Sequence, residues 1–148
     1  MAMLWFLVFV ASSQILLAVN SAPAADGEMD MKNIMMKCNE SNPIDPEFLK
    51  QLNMTGSFPD ESVRTAKCFI RCMFMETKLM DENGQLLADK LKEAFKGYQG
   101  PAAIKEADLD MFVDNCIAKD ADVTCQCERA YRFSKCLMTE EIGSAGKK

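Results

Sequence analysis

Apolar positions along the chain recur at helical spacing almost throughout. Met31, Ile34, Met35 and Cys38 fall at i, i+3, i+4 and i+7 and predict a first helix ending near Asn39. Asp45-Pro46-Glu47 supplies an N-cap, a proline at the first helical position and an acidic first turn, and opens a short helix that buries Phe48, Leu49 and Leu52. Gly56-Ser57-Phe58-Pro59 reads as a loop, after which Asp60 caps a long helix running to about Met80. On a wheel of that helix, Arg64, Lys67, Arg71 and Lys78 share one narrow sector, and the rest is nearly all apolar, as in a central helix buried on most of its circumference. Asp81-Glu82-Asn83-Gly84 is a turn. Leu87, Leu91, Ala94 and Phe95 stripe the next helix, with Gly97 as its stop. Gly100-Pro101 starts another, with a face of Leu109, Phe112, Val113, Cys116 and Ile117; it is either buried on two sides or broken near Ala107. Asp122 caps the last helix, which runs to about Met138 and leaves Gly143–Lys148 as a frayed tail. No period-2 segment of useful length interrupts this, so the fold class is all-α, one domain at this length.

The first 24 residues stand apart. They carry no charged side chain, their apolar runs Leu4–Val10 and Ile15–Val19 are broken only around Ser12-Ser13-Gln14, and small residues follow at Ser21, Ala22, Ala24 and Ala25. This is the pattern of a secretory signal peptide with an Ala22-Pro23-Ala24 cleavage site, so residues 1–24 are expected to be removed and residues 25–148 to form the secreted, extracellular domain. Trp5, the one tryptophan, goes with the leader. A domain of this size buries roughly two-thirds of its unfolded surface, enough for a real core.

Composition then removes whole classes of chemistry. With no histidine, Ser-His-Asp and Cys-His catalysis, His-ligated zinc and an imidazole pH switch are excluded. A net charge of −5 without a basic stripe argues against nucleic acid as a partner. The chain is expected to be no enzyme and to use no cofactor and no metal.

Secretion makes the seven cysteines a disulfide framework with one left over. Six cysteines allow 15 connectivities. Cys68 and Cys72 lie four apart on one helical face, where Cβ atoms are about 5–6 Å apart. A disulfide needs roughly 3.5–4.5 Å, so each must reach a different partner. On the last helix Cys125 falls in the polar sector of Glu128, Arg129, Arg132 and Lys135, whereas Cys127 falls on the opposite face with Ala130, Tyr131 and Ser134. Cys127 therefore reaches a core partner and Cys125 is the free thiol.

Without Cys125 the gaps between cysteines are 29, 3, 43, 10 and 8 residues. This spacing resembles the insect odorant-binding protein family, the pheromone-binding and general odorant-binding proteins of six-cysteine type. The three- and eight-residue gaps are its most diagnostic elements. Leu79-Met80-Asp81-Glu82-Asn83-Gly84 and Cys127-Glu128-Arg129-Ala130-Tyr131 look like the same family. The extra Cys125 and a slightly long 43-residue gap depart from its pattern. The resemblance implies about six helices around an apolar cavity, with Cys38 paired to Cys72, Cys68 to Cys127 and Cys116 to Cys136. It implies a carrier that reversibly binds small hydrophobic molecules (odorants, pheromones or related lipophilic ligands), as a monomer or weak homodimer, and delivers them toward a chemosensory membrane receptor.

Candidate pocket residues follow from the apolar faces: Phe69, Met73, Met80, Leu87, Leu91, Phe95, Phe112, Val113, Tyr131 and Leu137, with Tyr131 offering the hydrogen bond. Flexible, polarizable methionines suit a cavity that accepts several shapes. A phospholipase-type hydrolase would need a histidine, and a saposin-like module a different cysteine spacing. The rival reading is the same scaffold acting through a protein partner or as a non-olfactory lipid carrier.

Overall fold

A computed structural model of the chain describes residues 30–96 and 106–145. Among the described residues six helices follow in order: α1 (Met31–Ser41), α2 (Pro46–Thr55), α3 (Arg64–Glu76), α4 (Ala88–Phe95), α5 (Glu106–Lys119) and α6 (Gln126–Ala145). Among the described residues there is no strand; one isolated antiparallel bridge joins Met80 to Leu86. The chain is all-α, as the periodicity predicts.

Local signals account for the shorter helices. Asp30 caps α1 by accepting the Asn33 N–H at 3.2 Å. Asp45 caps α2 by accepting the Glu47 N–H at 2.9 Å, Pro46 opens the helix, and Gly56 closes it at φ 78°. A Cβ on Gly56 would lie 2.9 Å from Thr139 Oγ1, so this end of α2 seats directly on α6.

Four expectations about helix ends are corrected. Asp60 does not cap α3: its Oδ1 accepts the Ser62 N–H at 2.8 Å in a local turn, and the helix starts at Arg64 behind Val63. Nor does α3 run to Met80. It stops at Glu76, Lys78 takes φ 60°, and the N–H groups of Leu79 and Met80 both donate to Phe74 O, at 2.8 and 3.1 Å. That reversal lets Met80 bury beneath its bridge to Leu86, where a continued helix would carry it past the core. The last helix begins at Gln126, not beside Asp122, and runs through Ala145 instead of stopping near Met138. Helical backbone thus takes up half of the expected tail. On α1, Ile34 and Cys38 turn inward, while Met31 and Met35 of the same stripe are exposed. Met111 on α5 is also exposed, so that helix is not buried on two sides. The expected stop at Gly97 and start at Gly100-Pro101 lie outside the described residues.

The spine of the fold is α3 against α6, the most extensive helix pair; α1 packs on α3, α2 on α6, α4 on α5 and α5 on α6. Disulfides reinforce three of these seams: Cys38–Cys72 joins α1 to α3, Cys68–Cys127 joins α3 to α6, and Cys116–Cys136 joins α5 to α6. Cys125 is an exposed free thiol.

Candidate functional site

Two hydrophobic clusters fill the interior. The first, among α1, α2, α3 and α6, contains Leu52, Phe58, Phe69, Ile70, Met80 and Tyr131. The second, among α4, α5 and α6, contains Leu91, Leu109, Val113, Phe133 and Leu137. Phe74 and Leu86 pack against both and form the seam between them. Phe74 meets Phe133 edge-on, ring centroids 6.0 Å apart, so the seam is aromatic.

The expected pocket residues divide across this seam. Phe69, Met73, Met80 and Tyr131 lie in or against the first cluster. Leu91, Phe95, Phe112, Val113 and Leu137 lie in or against the second. Leu87 belongs to neither; it is the N-cap residue of α4, and its N–H donates to Leu79 O at 2.9 Å. Its contribution is to tie the Met80–Leu86 reversal to the start of α4.

Tyr131 is fully buried and its hydroxyl already has a structural partner. It accepts the Phe58 N–H at 3.0 Å, and its ring stacks on Phe58 at 4.4 Å. Burial pushes the phenol up to about 12, so it stays protonated, and its own proton goes to the Glu61 carboxylate. The Lys67 ammonium lies 5.2 Å above the same ring and pairs with Glu128 at 2.6 Å. Tyr131 thus holds the α2–α3 loop against the α3–α6 spine. Glu76, which stands on the apolar side of α3 in the sequence pattern, pairs with Lys37 at 2.8 Å.

Sequence reasoning missed Phe58, Leu86 and Phe133 as interior residues, and it read Phe74 and Leu109 as buried without placing them among the pocket residues. Phe133 was findable: Ala130, Phe133 and Leu137 repeat at i, i+3 and i+7 and all are buried. Phe58 was not, because it sits in a loop and its burial depends on Tyr131.

One arginine fixes the two loops that flank the start of α6. Arg129 donates from Nη1 to Gly84 O at 2.7 Å and from Nη2 to Val123 O. Gly84 has φ 77°, and a Cβ there would sit 2.3 Å from Gln126 Cγ, so the 81–84 turn needs glycine both for its conformation and for its contact with α6. Gln126 in turn accepts from Arg71 Nε at 2.7 Å.

The outer surface of α6 is different in kind. Two open grooves of about 420 and 450 Å³ run along it and share Glu61 and Glu128. None of the ten expected pocket residues lines either groove. Their charges are largely matched: Lys135 with Glu61 at 2.6 Å, Arg132 with Asp120 at 2.9 Å, and Lys119 with Glu140 at 3.3 Å.

Asp120 is buried at the turn between α5 and α6, and loss of solvent raises its pKa above the ordinary carboxylate value despite the Arg132 guanidinium. A raised acid binds more protons folded than unfolded just above pH 3.8, so its contribution to stability grows as pH falls through that window and is lost as pH rises. Against Asp120→Asn, the native chain is therefore expected to gain in relative denaturant midpoint between pH 6 and pH 4. A gap that stays constant, or moves the other way, would contradict the assignment.

With this geometry in place, comparison with known proteins decides the family. The PBP/GOBP family model matches residues 22–140, which take in all six bonded cysteines. The chain belongs to the PBP/GOBP family. It is 29% identical over 129 residues to general odorant-binding protein 84a of Drosophila melanogaster, covering 86% of this chain and 67% of that protein. No solved structure matches it. The family match includes the three-residue gap of α3, the 81–84 turn and the α6 face that carries Cys127 and Tyr131.

Proposed function

We propose that the chain is a secreted carrier that reversibly binds small hydrophobic molecules, odorants or related lipophilic compounds, in its apolar interior. Family membership supports this, as does the likeness to a Drosophila protein named as a general odorant-binding protein. The observation that carries the reading is the pair of apolar clusters meeting at Phe74 and Leu86 inside a frame of three disulfides. A frame of that kind keeps helices apart around a guest, where an unbridged core would collapse to native density. The ligand would lie along the seam, against Phe69, Met73, Met80 and the Tyr131 ring on one side and Leu91, Phe95, Phe112, Val113 and Leu137 on the other. Residues 1–24 direct secretion and residues 25–148 form the carrier, which acts as a monomer or weak homodimer and delivers its ligand toward a membrane receptor.

The test is displacement of an apolar fluorescent probe from the oxidised mature protein by alcohols, aldehydes, esters, terpenoids and fatty acids. Loss of Trp5 with the leader keeps the background low. Saturable binding near micromolar Kd, about −8 kcal/mol, with competition graded by chain length, is the expected result. No saturable binding by correctly bridged protein would overturn the carrier reading in favour of a protein partner.

A further inference from the structure

We propose that Asn53 carries an N-linked oligosaccharide in the secreted protein and that Asn39 does not. The inference rests on the reading of residues 1–24 as a secretory segment, since only chains entering that pathway meet the transferase. Two triplets fit the acceptor pattern, Asn39-Glu40-Ser41 and Asn53-Met54-Thr55, and neither has proline in the middle.

The fold treats the two asparagines differently. Asn39 follows Cys38, which is fully buried and bonded to Cys72. Its Oδ1 accepts the Ile44 N–H at 3.0 Å, so its amide turns back onto the α1–α2 connection. The hydroxyls do not distinguish the triplets: Ser41 donates to Lys37 O at 3.2 Å and Thr55 to Gln51 O at 2.8 Å. Both asparagines are exposed, and Asn53 sits in the last turn of α2 on its outer face. Leu52 beside it is buried, while Asn53 and Met54 are exposed, Met54 by 63%. No hydrogen bond or ion pair of the Asn53 side chain is made among the described residues. Gly56 ends the helix straight after the triplet. A sugar on Asn53 projects into solvent without displacing any interaction of the fold, and the apolar interior lies on the opposite face of α2.

The chemistry is a transfer from a polyprenyl-diphosphate-linked oligosaccharide. A bond forms between Asn53 Nδ2 and the anomeric carbon of the terminal N-acetylglucosamine. The bond from that carbon to the diphosphate oxygen breaks, the lipid diphosphate leaves, and the amide gives up one proton. Thr55 completes the acceptor triplet.

The experiment is expression of the full chain in a eukaryotic secretory host, with peptide mapping and intact mass of both medium and cell fractions before and after endoglycosidase. Expected is a single glycan mass shift mapped to Asn53, lost in Asn53→Gln and Thr55→Ala, kept in Asn39→Gln and Thr55→Ser, with probe affinity unchanged when the sugar is removed. Processed protein in the medium with Asn53 unmodified, or modified at Asn39 instead, would overturn this inference alone. Unmodified chain held in the cells with residues 1–24 still attached would overturn the secretion reading and this inference with it.

Discussion

Joint replacement of Cys68 and Cys127 by alanine, in a Cys125→Ser background, is expected to lower the unfolding free energy by about 4 kcal/mol. The bridge closes a loop of 59 residues, against 34 and 20 for the other two, and the unfolded-state entropy it removes grows with the logarithm of that length. It also lies on the α3–α6 spine, next to the Lys67–Glu128 pair and the buried Tyr131. For a domain of this size the loss corresponds to a fall in Tm of roughly 10–20 °C. Replacing Cys116 and Cys136 opens the shortest of the three loops and is expected to cost about 3 kcal/mol. The Cys125→Ser background matters because Cys125 is an exposed free thiol that could otherwise exchange with the remaining bridges or pair between molecules during unfolding. Guanidinium unfolding followed by far-UV circular dichroism measures both. A loss under about 1 kcal/mol for the 68–127 bridge would contradict the account.

Phe133→Ala is the second large effect, expected to cost about 3–5 kcal/mol. Phe133 is fully buried in the second cluster and meets Phe74 edge-on at 6.0 Å. Truncation removes the ring's transfer free energy and leaves a cavity at the seam, where helices bridged by Cys116–Cys136 and Cys68–Cys127 are held from closing. Phe133→Leu, which keeps most of the volume, is expected to cost less than half as much. If Phe133→Ala costs no more than Phe133→Leu, the seam is not packed as described. The enlarged seam should also shift the preferred competitor in the displacement assay toward a longer or bulkier molecule.

These effects were unequally legible in the sequence. The six helices and the all-α class follow from periodicity and from caps such as Asp45-Pro46 and Gly56, which act locally. Helix ends set by tertiary contacts were not legible. The apolar run from Phe74 to Met80 continues the helical pattern of α3, yet the chain leaves the helix after Glu76, because burying Met80 against Leu86 requires the reversal at Lys78. The start of α6 is likewise set by Arg129 and Gly84, distant in sequence, instead of by Asp122. Among interior residues, the helical faces of α3, α5 and α6 were readable, but Phe58 and Leu86 come from loops, where no period announces them. The role of Tyr131 was half visible: a buried hydroxyl needs a partner. That the partner is the Phe58 backbone depends on how the α2–α3 loop folds back.

The central claim is that an apolar ligand enters the interior at the seam, and the methionines test it directly. Met80 is 2% exposed and Met73 packs against the same cluster, whereas Met36, Met54 and Met111 are 55%, 63% and 53% exposed on three other helices. Titration of ¹³C-methyl-methionine-labelled mature protein with the best competitor, followed by NMR, reads both groups at once. The account predicts that the Met73 and Met80 methyl signals shift saturably with the same Kd as probe displacement, while those of Met36, Met54 and Met111 stay in place. Shifts confined to the exposed methionines, with Met73 and Met80 unmoved, would contradict it.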